Sequence, residues 1–236
     1  MKSASRLRIE AVLSGIVEDE VEPELCVACA RLVGLSGAAI ALVTAGAHRT
    51  LLCSSDATAA ALEDLQNTLG EGPGVDAYRS GVPVVDCDLA ASDGSRWLAF
   101  AEPALDAGAA AVFAFPLRLG AVRLGSLTFN HRRPGRLSDD QYADARCVAA
   151  VATDFVLALQ AQAPPGTLTG ALAAAADDDA EVHQATGMLS VRLGVTVGDA
   201  MVRLRALAYS EGRPLAEVAR DVVARGPGTP FDGRRA

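Results

Sequence analysis

The sequence predicts an α+β domain, an antiparallel sheet with flanking helices, followed by a small all-α three-helix bundle. Three observations predict it. Short apolar runs alternate irregularly with helical stretches and end in a late hairpin, the order of an α+β sheet with helices on one face. A Pro/Gly segment, Ala161–Gly170, then breaks the chain. Beyond it lie three short apolar stripes, each with its own start and stop signals. The 236 residues suit one domain of about 150 residues plus a smaller one. Half are hydrophobic but only 4% aromatic, so Ala, Val and Leu must build the core.

Taken in order, Leu7–Gly34 reads as helix broken near Pro23, with Leu7, Val12 and Ile16 on one face and Leu25, Ala28 and Leu32 on another. Ala38–Val43 is a short buried strand, and Thr50–Ser54 is its hairpin partner. Thr58–Thr68 is helical, with Ala61, Leu62, Leu65 and Leu69 at helical spacing. Gly70–Gly74, glycines around Pro73, must turn and feed a short helix over Val75–Ser80. A strand (Val82–Asp86), a helix (Leu98–Ala107) and a strand pair (Ala110–Leu119 and Arg123–Asn130) follow. Ser138 opens a long helix with Asp139 and Asp140 in its first turn, where negative charge suits the helix dipole. Its stripe, Tyr142 to Leu159, has more apolar surface than one helix on a sheet needs, which predicts a homodimer.

The domain plan is 1–160, a linker at 161–170, a helical unit at 171–226 and a tail at 227–236. In the helical unit, Val182, Ala185, Leu189 and Leu193 share one face, and Gly194 closes the first helix. Thr196 caps the second helix, with Asp199 three residues on, and Gly212 ends it. Pro214 stands at the first turn of the third, where its missing N–H costs nothing, and Gly226 and Pro227 stop it.

Composition excludes several classes. The polar start of the chain lacks a secretory core, and the longest apolar runs are too short for a membrane span, which predicts a cytoplasmic protein without membrane partners. Lys2 is the only lysine, so neither a P-loop nor a Schiff-base enzyme fits. Three scattered histidines and no nucleophile elbow leave no catalytic or metal constellation, so no enzyme is expected. Five cysteines, an odd number, argue against a disulfide framework, and Cys26 and Cys29 read as small buried thiols. Net charge is −8, but residues 182–226 hold six Arg against four acids. A nucleic-acid site must therefore be a local basic patch.

The segments LGEGPGVDAYRSGVPVVDCDL (69–89), RWLAFAEPALDAGAAAVFAFPLRLG (96–120) and LGSLTFN (124–130) resemble a GAF domain of actinobacterial GAF–ANTAR regulators. One departure is Gly74, where relatives often carry Cys. The resemblance implies a GAF-like sheet with a pocket for an unidentified small-molecule ligand at Gly72, Pro73, Asp76 and Phe115, and no named cofactor. A GAF domain that serves only for dimerisation is an equal alternative. Residues 181–223, with Gln184–Leu189, Arg192, Gly194, Asp199–Ala200, Leu204–Arg205 and Ala208, resemble the ANTAR domain. That likeness implies a dimer that binds paired RNA stem-loops in nascent transcripts and prevents termination, with RNA polymerase affected only indirectly. The RNA-contacting candidates are Gln184, Thr186, Arg192, Arg203, Arg205, Tyr209, Arg213 and Arg220. Arg suits phosphate and base stacking, and Tyr209 can stack on a base. Thr186 replaces a frequent Lys, which should lower the salt slope. The alternatives are a sensor whose bundle binds duplex DNA or a protein.

Overall fold

A computed structural model of the chain describes residues 4–13, 15, 21–43, 49–92, 96–162 and 170–225. Five strands, β1 (Gly37–Val43), β2 (Arg49–Ser54), β3 (Val84–Asp86), β4 (Ala111–Leu119) and β5 (Val122–His131), form one antiparallel sheet in the order β2-β1-β5-β4-β3. The β4–β5 hairpin turns at Gly120, whose φ of 60° suits a residue without Cβ.

Helices cover both faces of this sheet, not one. Helices α1 (Ala4–Leu13), α2 (Val21–Val33) and α6 (Asp139–Gln162) pack on the side of Phe113, Phe115, Leu127 and Phe129. Helices α3 (Ala57–Leu69), α4 (Pro73–Ser80) and α5 (Ala101–Asp106) pack on the side of Val112 and Ala114. The reason is visible in β4: residues 111–115 are buried without alternation, so both sides need cover.

Four sequence expectations change. In α1, Ile9 and Leu13 are buried while Leu7 and Val12 are exposed, and Ile16 lies outside the described residues. Pro23 sits in the first turn of α2 rather than at a break, a position where its missing N–H is harmless. Cys26 is not a free thiol: it is bonded to Cys53 with Cα atoms 6.0 Å apart, tying α2 to β2, while Cys29 remains free and buried. The α6 stripe is also used internally. Ala145, Val148 and Ala152 are buried in the subunit's own core, and the Tyr142 ring lies 5.6 Å from that of Phe115.

Beyond α6, α7 (Gly170–Leu193), α8 (Val197–Glu211) and α9 (Leu215–Ala224) form the helical bundle. Its core is Val182, Ala185, Leu189, Ala200, Leu204, Ala208, Leu215, Val218, Ala219 and Val222. The punctuation acts as its residue types dictate. Thr196 Oγ1 accepts from the Asp199 N–H, and Gly212 takes a left-handed φ of 61° and donates back into α8. Met201 packs against this core, while Met188 is half-buried. The Pro-containing part of the linker, and Gly226 onward, lie outside the described residues. The bundle rests on the sheet domain, α8 and α9 against α3 and α7 against β2.

Candidate functional site

Two places carry polar chemistry. The first lies under α3 and α4. Arg49, at the start of β2, is 5% exposed and points into the domain. Its Nη2 donates to Glu63 Oε2 and to Ser126 Oγ, both at 2.8 Å, and its Nη1 donates to the Gly74 carbonyl. Gln66 completes the network: its Nε2 donates to Glu63 Oε1, and its Oε1 accepts from the Gly74 N–H. A Cβ on Gly74 would stand 2.9 Å from each of Arg49 Nη2, Gln66 Oε1 and Ser126 Oγ. The network therefore occupies the space a side chain there would need. On β5, Thr128 and Asn130 follow Ser126 on the same face, buried, and their side-chain polar atoms have no hydrogen-bond partner among the described residues.

The expected pocket residues separate into two groups. Gly72 and Pro73 are buried at the start of α4, and Asp76 Oδ2 accepts from Trp97 Nε1 at 3.1 Å and Arg96 Nε at 3.3 Å. These three lie on the α3–α5 side. Phe115 does not join them: it packs edge-on with Phe129 on the opposite side of the sheet. Strand alternation forces this, because Ala114 already faces α4. Sequence reasoning missed Arg49, Glu63 and Gln66. The i, i+3 spacing of Glu63 and Gln66 on the inner face of α3 was the available signal.

The second place is the outer surface of the bundle. Gln184 and Arg203 are exposed. Arg220 Nε is 3.1 Å from Glu181, and Arg213 is held by Glu211, Glu217 and Asp221. Hydrogen bonds to Asp221 and then Glu211 push the Arg213 guanidinium above its ordinary value. Arg192 is half-buried near the end of α7. Thr186 is a correction: its side chain is fully buried and its hydroxyl donates to the Val182 carbonyl at 2.7 Å, so it presents nothing to a ligand here. It sits four residues after Val182 on the buried stripe, a spacing legible in the sequence.

Arg205 and Tyr209 face the sheet domain. Arg205 Nη1 lies 2.6 Å from where a Cβ on Gly70 would stand, and Gly70 has φ 68° at the end of α3. Beside it, a cleft of about 400 Å³ opens between Ala61, Leu65 and Pro103 on one side and Ala208, Tyr209 and Pro214 on the other.

A GAF domain family model matches residues 18–160, more than half the chain. The chain belongs to the GAF domain family. An ANTAR domain model matches residues 170–223, so the arrangement is GAF followed by ANTAR. The GAF domain of an Acinetobacter phosphoenolpyruvate-protein phosphotransferase is similar in fold at 12% identity and TM-score 0.51, covering 68% of this chain and 95% of that one. A GAF domain from a Coxiella burnetii phosphoenolpyruvate-protein phosphotransferase gives 13% identity and TM-score 0.48, covering 68% and 98%. No curated protein matches the chain. GAF and ANTAR are regulatory families, sensory and RNA-binding, rather than catalytic ones. Among the described residues, no helix is long and apolar enough to cross a membrane.

Proposed function

We propose that this GAF–ANTAR protein is a signal-responsive transcription antiterminator that binds paired RNA stem-loops through its ANTAR bundle. One observation supports the coupling of signal to RNA: α3 belongs to both domains at once. Ala59, Leu62, Glu63 and Gln66 are buried toward the sheet, with Glu63 and Gln66 in the Arg49 network. Ala61, Asp64, Leu65 and Thr68, at i, i+3, i+4 and i+7, line the cleft under the ANTAR bundle. A ligand that rearranges the network shifts α3, and with it the seat of α8.

The ligand is a small polar molecule bound at the buried Thr128 and Asn130, next to Ser126, where the unsatisfied polar atoms of those two residues cost free energy until something pairs with them. The protein acts in the cytoplasm as a pair of protomers, each taking one stem-loop. The α6 stripe gives no support for this pairing, because Ala145, Val148 and Ala152 are covered by their own subunit.

The test is binding of the full chain to a labelled RNA with two stem-loops across a salt series, beside an Arg203→Ala variant and a duplex DNA of equal length. Tight binding that weakens with salt is expected, with RNA preferred over duplex. Arg203→Ala should reduce the salt slope by about 0.7–0.9 for each phosphate it contacts. Salt-independent or absent RNA binding refutes the proposal.

A further inference from the structure

Arg6, Arg8, Arg49, Arg96, Arg213, Arg220 and Arg225 are held by carboxylates. Five others adjoin one another and have no carboxylate within ion-pairing distance among the described residues. Arg118 and Arg146 line one small cavity beside Gly81. Arg123 Nε and Arg118 Nη1 lie 3.5 Å and 3.8 Å from the position a Cβ on Gly81 would take. Arg123 Nη1 in turn donates to the Arg79 carbonyl. The charge of Arg79 acts on Arg205, which reaches over Gly70 from the ANTAR bundle.

The chain of neighbours thus runs Arg146, Arg118, Arg123, Arg79, Arg205, from α6 through the β4–β5 hairpin and the end of α4 to α8. Four of them, all but Arg205, are exposed. Burial first, and next the Arg79 charge, hold the Arg205 guanidinium below its ordinary value, as expected of cations without a counter-charge. Such a stripe in a protein of net charge −8 is a local field of the opposite sign.

We infer that these five arginines form one polyanion-binding stripe across both domains, and that its ligand is the phosphate backbone of the RNA held by the ANTAR bundle. The inference rests on the RNA-binding function proposed above. It adds a role for the GAF domain that is not sensory: Arg79 acts on Arg205, Arg118 and Arg123 stand over Gly81 two residues further on, and Arg146 shares a cavity with Arg118. A phosphate set between Arg79 and Arg205 also neutralises their repulsion, so RNA binding and docking of the two domains reinforce each other. An RNA strand is favoured over an anionic lipid surface because the stripe ends on α8, the helix that also carries the exposed Arg203.

The experiment compares the full wild-type chain, an Arg118→Gln/Arg123→Gln variant and a charge-matched Arg132→Gln/Arg133→Gln control. The control removes the same charge at the other end of β5, roughly 30 Å away at about 3.3 Å per strand residue. Binding to the two-stem-loop RNA is measured across a salt series, and binding to phosphatidylserine-containing vesicles in parallel. Both substitution pairs lie on exposed positions, and unchanged Trp97 fluorescence verifies the fold.

The expected result is RNA binding at least ten-fold weaker for the Arg118/Arg123 variant at moderate salt, with a salt slope lower by about 1.5 for the pair and no change in the control. RNA binding by that variant within two-fold of wild type overturns the stripe and leaves the ANTAR function standing. Equal losses in the variant and the control also overturn it, since they reflect net charge alone. Loss of vesicle binding with RNA binding intact overturns it in favour of a membrane surface. A wild-type chain that binds no RNA at low salt overturns both proposals.

Discussion

Removing Glu63 and Arg49 together should cost the GAF domain less than the sum of the two single losses. Arg49 and Glu63 are 5% and 3% exposed, and their closest approach is 2.8 Å. Glu63→Ala leaves the guanidinium buried with only Ser126 Oγ and the Gly74 carbonyl as acceptors, and leaves Gln66 Nε2 without its partner. Stranding one member of a buried pair costs about 3–5 kcal/mol. With a urea m-value of about 2 kcal/mol/M, that moves the unfolding midpoint by roughly 2 M. Arg49→Ala strands the carboxylate in the same way. The double variant strands no charge, so its loss should fall short of the sum of the singles by about 2 kcal/mol or more. The assay is urea unfolding followed by the fluorescence of Trp97, the only tryptophan, which is buried on the α3–α5 side. Additive losses, or single losses under about 1 kcal/mol, would refute the claim that the pair is buried and coupled.

Other consequences follow from the same geometry. Thiol titration of the native protein should find Cys87 and Cys147, add Cys29 only in denaturant, and reach five thiols only after reduction. Burial pushes the Cys29 thiol up to about 12. The folded state therefore holds this proton more tightly than the unfolded chain. The resulting stability is complete below about pH 9 and falls as pH rises toward about 12, and Cys29→Ala should lack this alkaline loss in urea unfolding. Opening the Cys26–Cys53 bridge, which spans 27 residues, should lower stability by about 3.5 kcal/mol by chain entropy, read as a urea midpoint shift under reductant. Gly70→Ala should cost about 1–2 kcal/mol for its left-handed φ and displace Arg205, weakening RNA binding in the assay above. Thr186→Val should leave RNA affinity within two-fold, since the hydroxyl is bonded inside its own helix; a ten-fold loss would restore Thr186 as a contact.

What the sequence by itself determined is local. Thr196, Gly194 and Gly212 mark helix ends through the backbone conformations they permit, and the structure uses all three. The strands at 38–43, 50–54, 110–119 and 123–130 were legible because apolar runs between turn residues can satisfy their backbones only in a sheet. The ANTAR core was legible because each stripe obeys the helical period within one element. Even the burial of Thr186 was readable, as the i+4 neighbour of Val182.

Only the tertiary structure decided which side of an element meets which neighbour. Phe115 and Asp76 read together as one pocket in the sequence but fall on opposite faces of the sheet, because strand register fixes sides and no local signal fixes register. Arg49 resembles any other arginine in the sequence, and only the return of α3 and β5 beside it brings Glu63 and Ser126 within reach. Cys26 has Cys29 three residues away yet bonds Cys53, since β2 rather than the next turn of α2 faces its sulfur. Arg205 reads as a surface cation until α8 docks on α3, and the Arg79 whose charge acts on it belongs to another domain. Arg79 and Arg205 stand far apart in the chain, and their charges act on one another only because folding brings them together, since exposed charges are screened beyond about 8 Å at physiological salt.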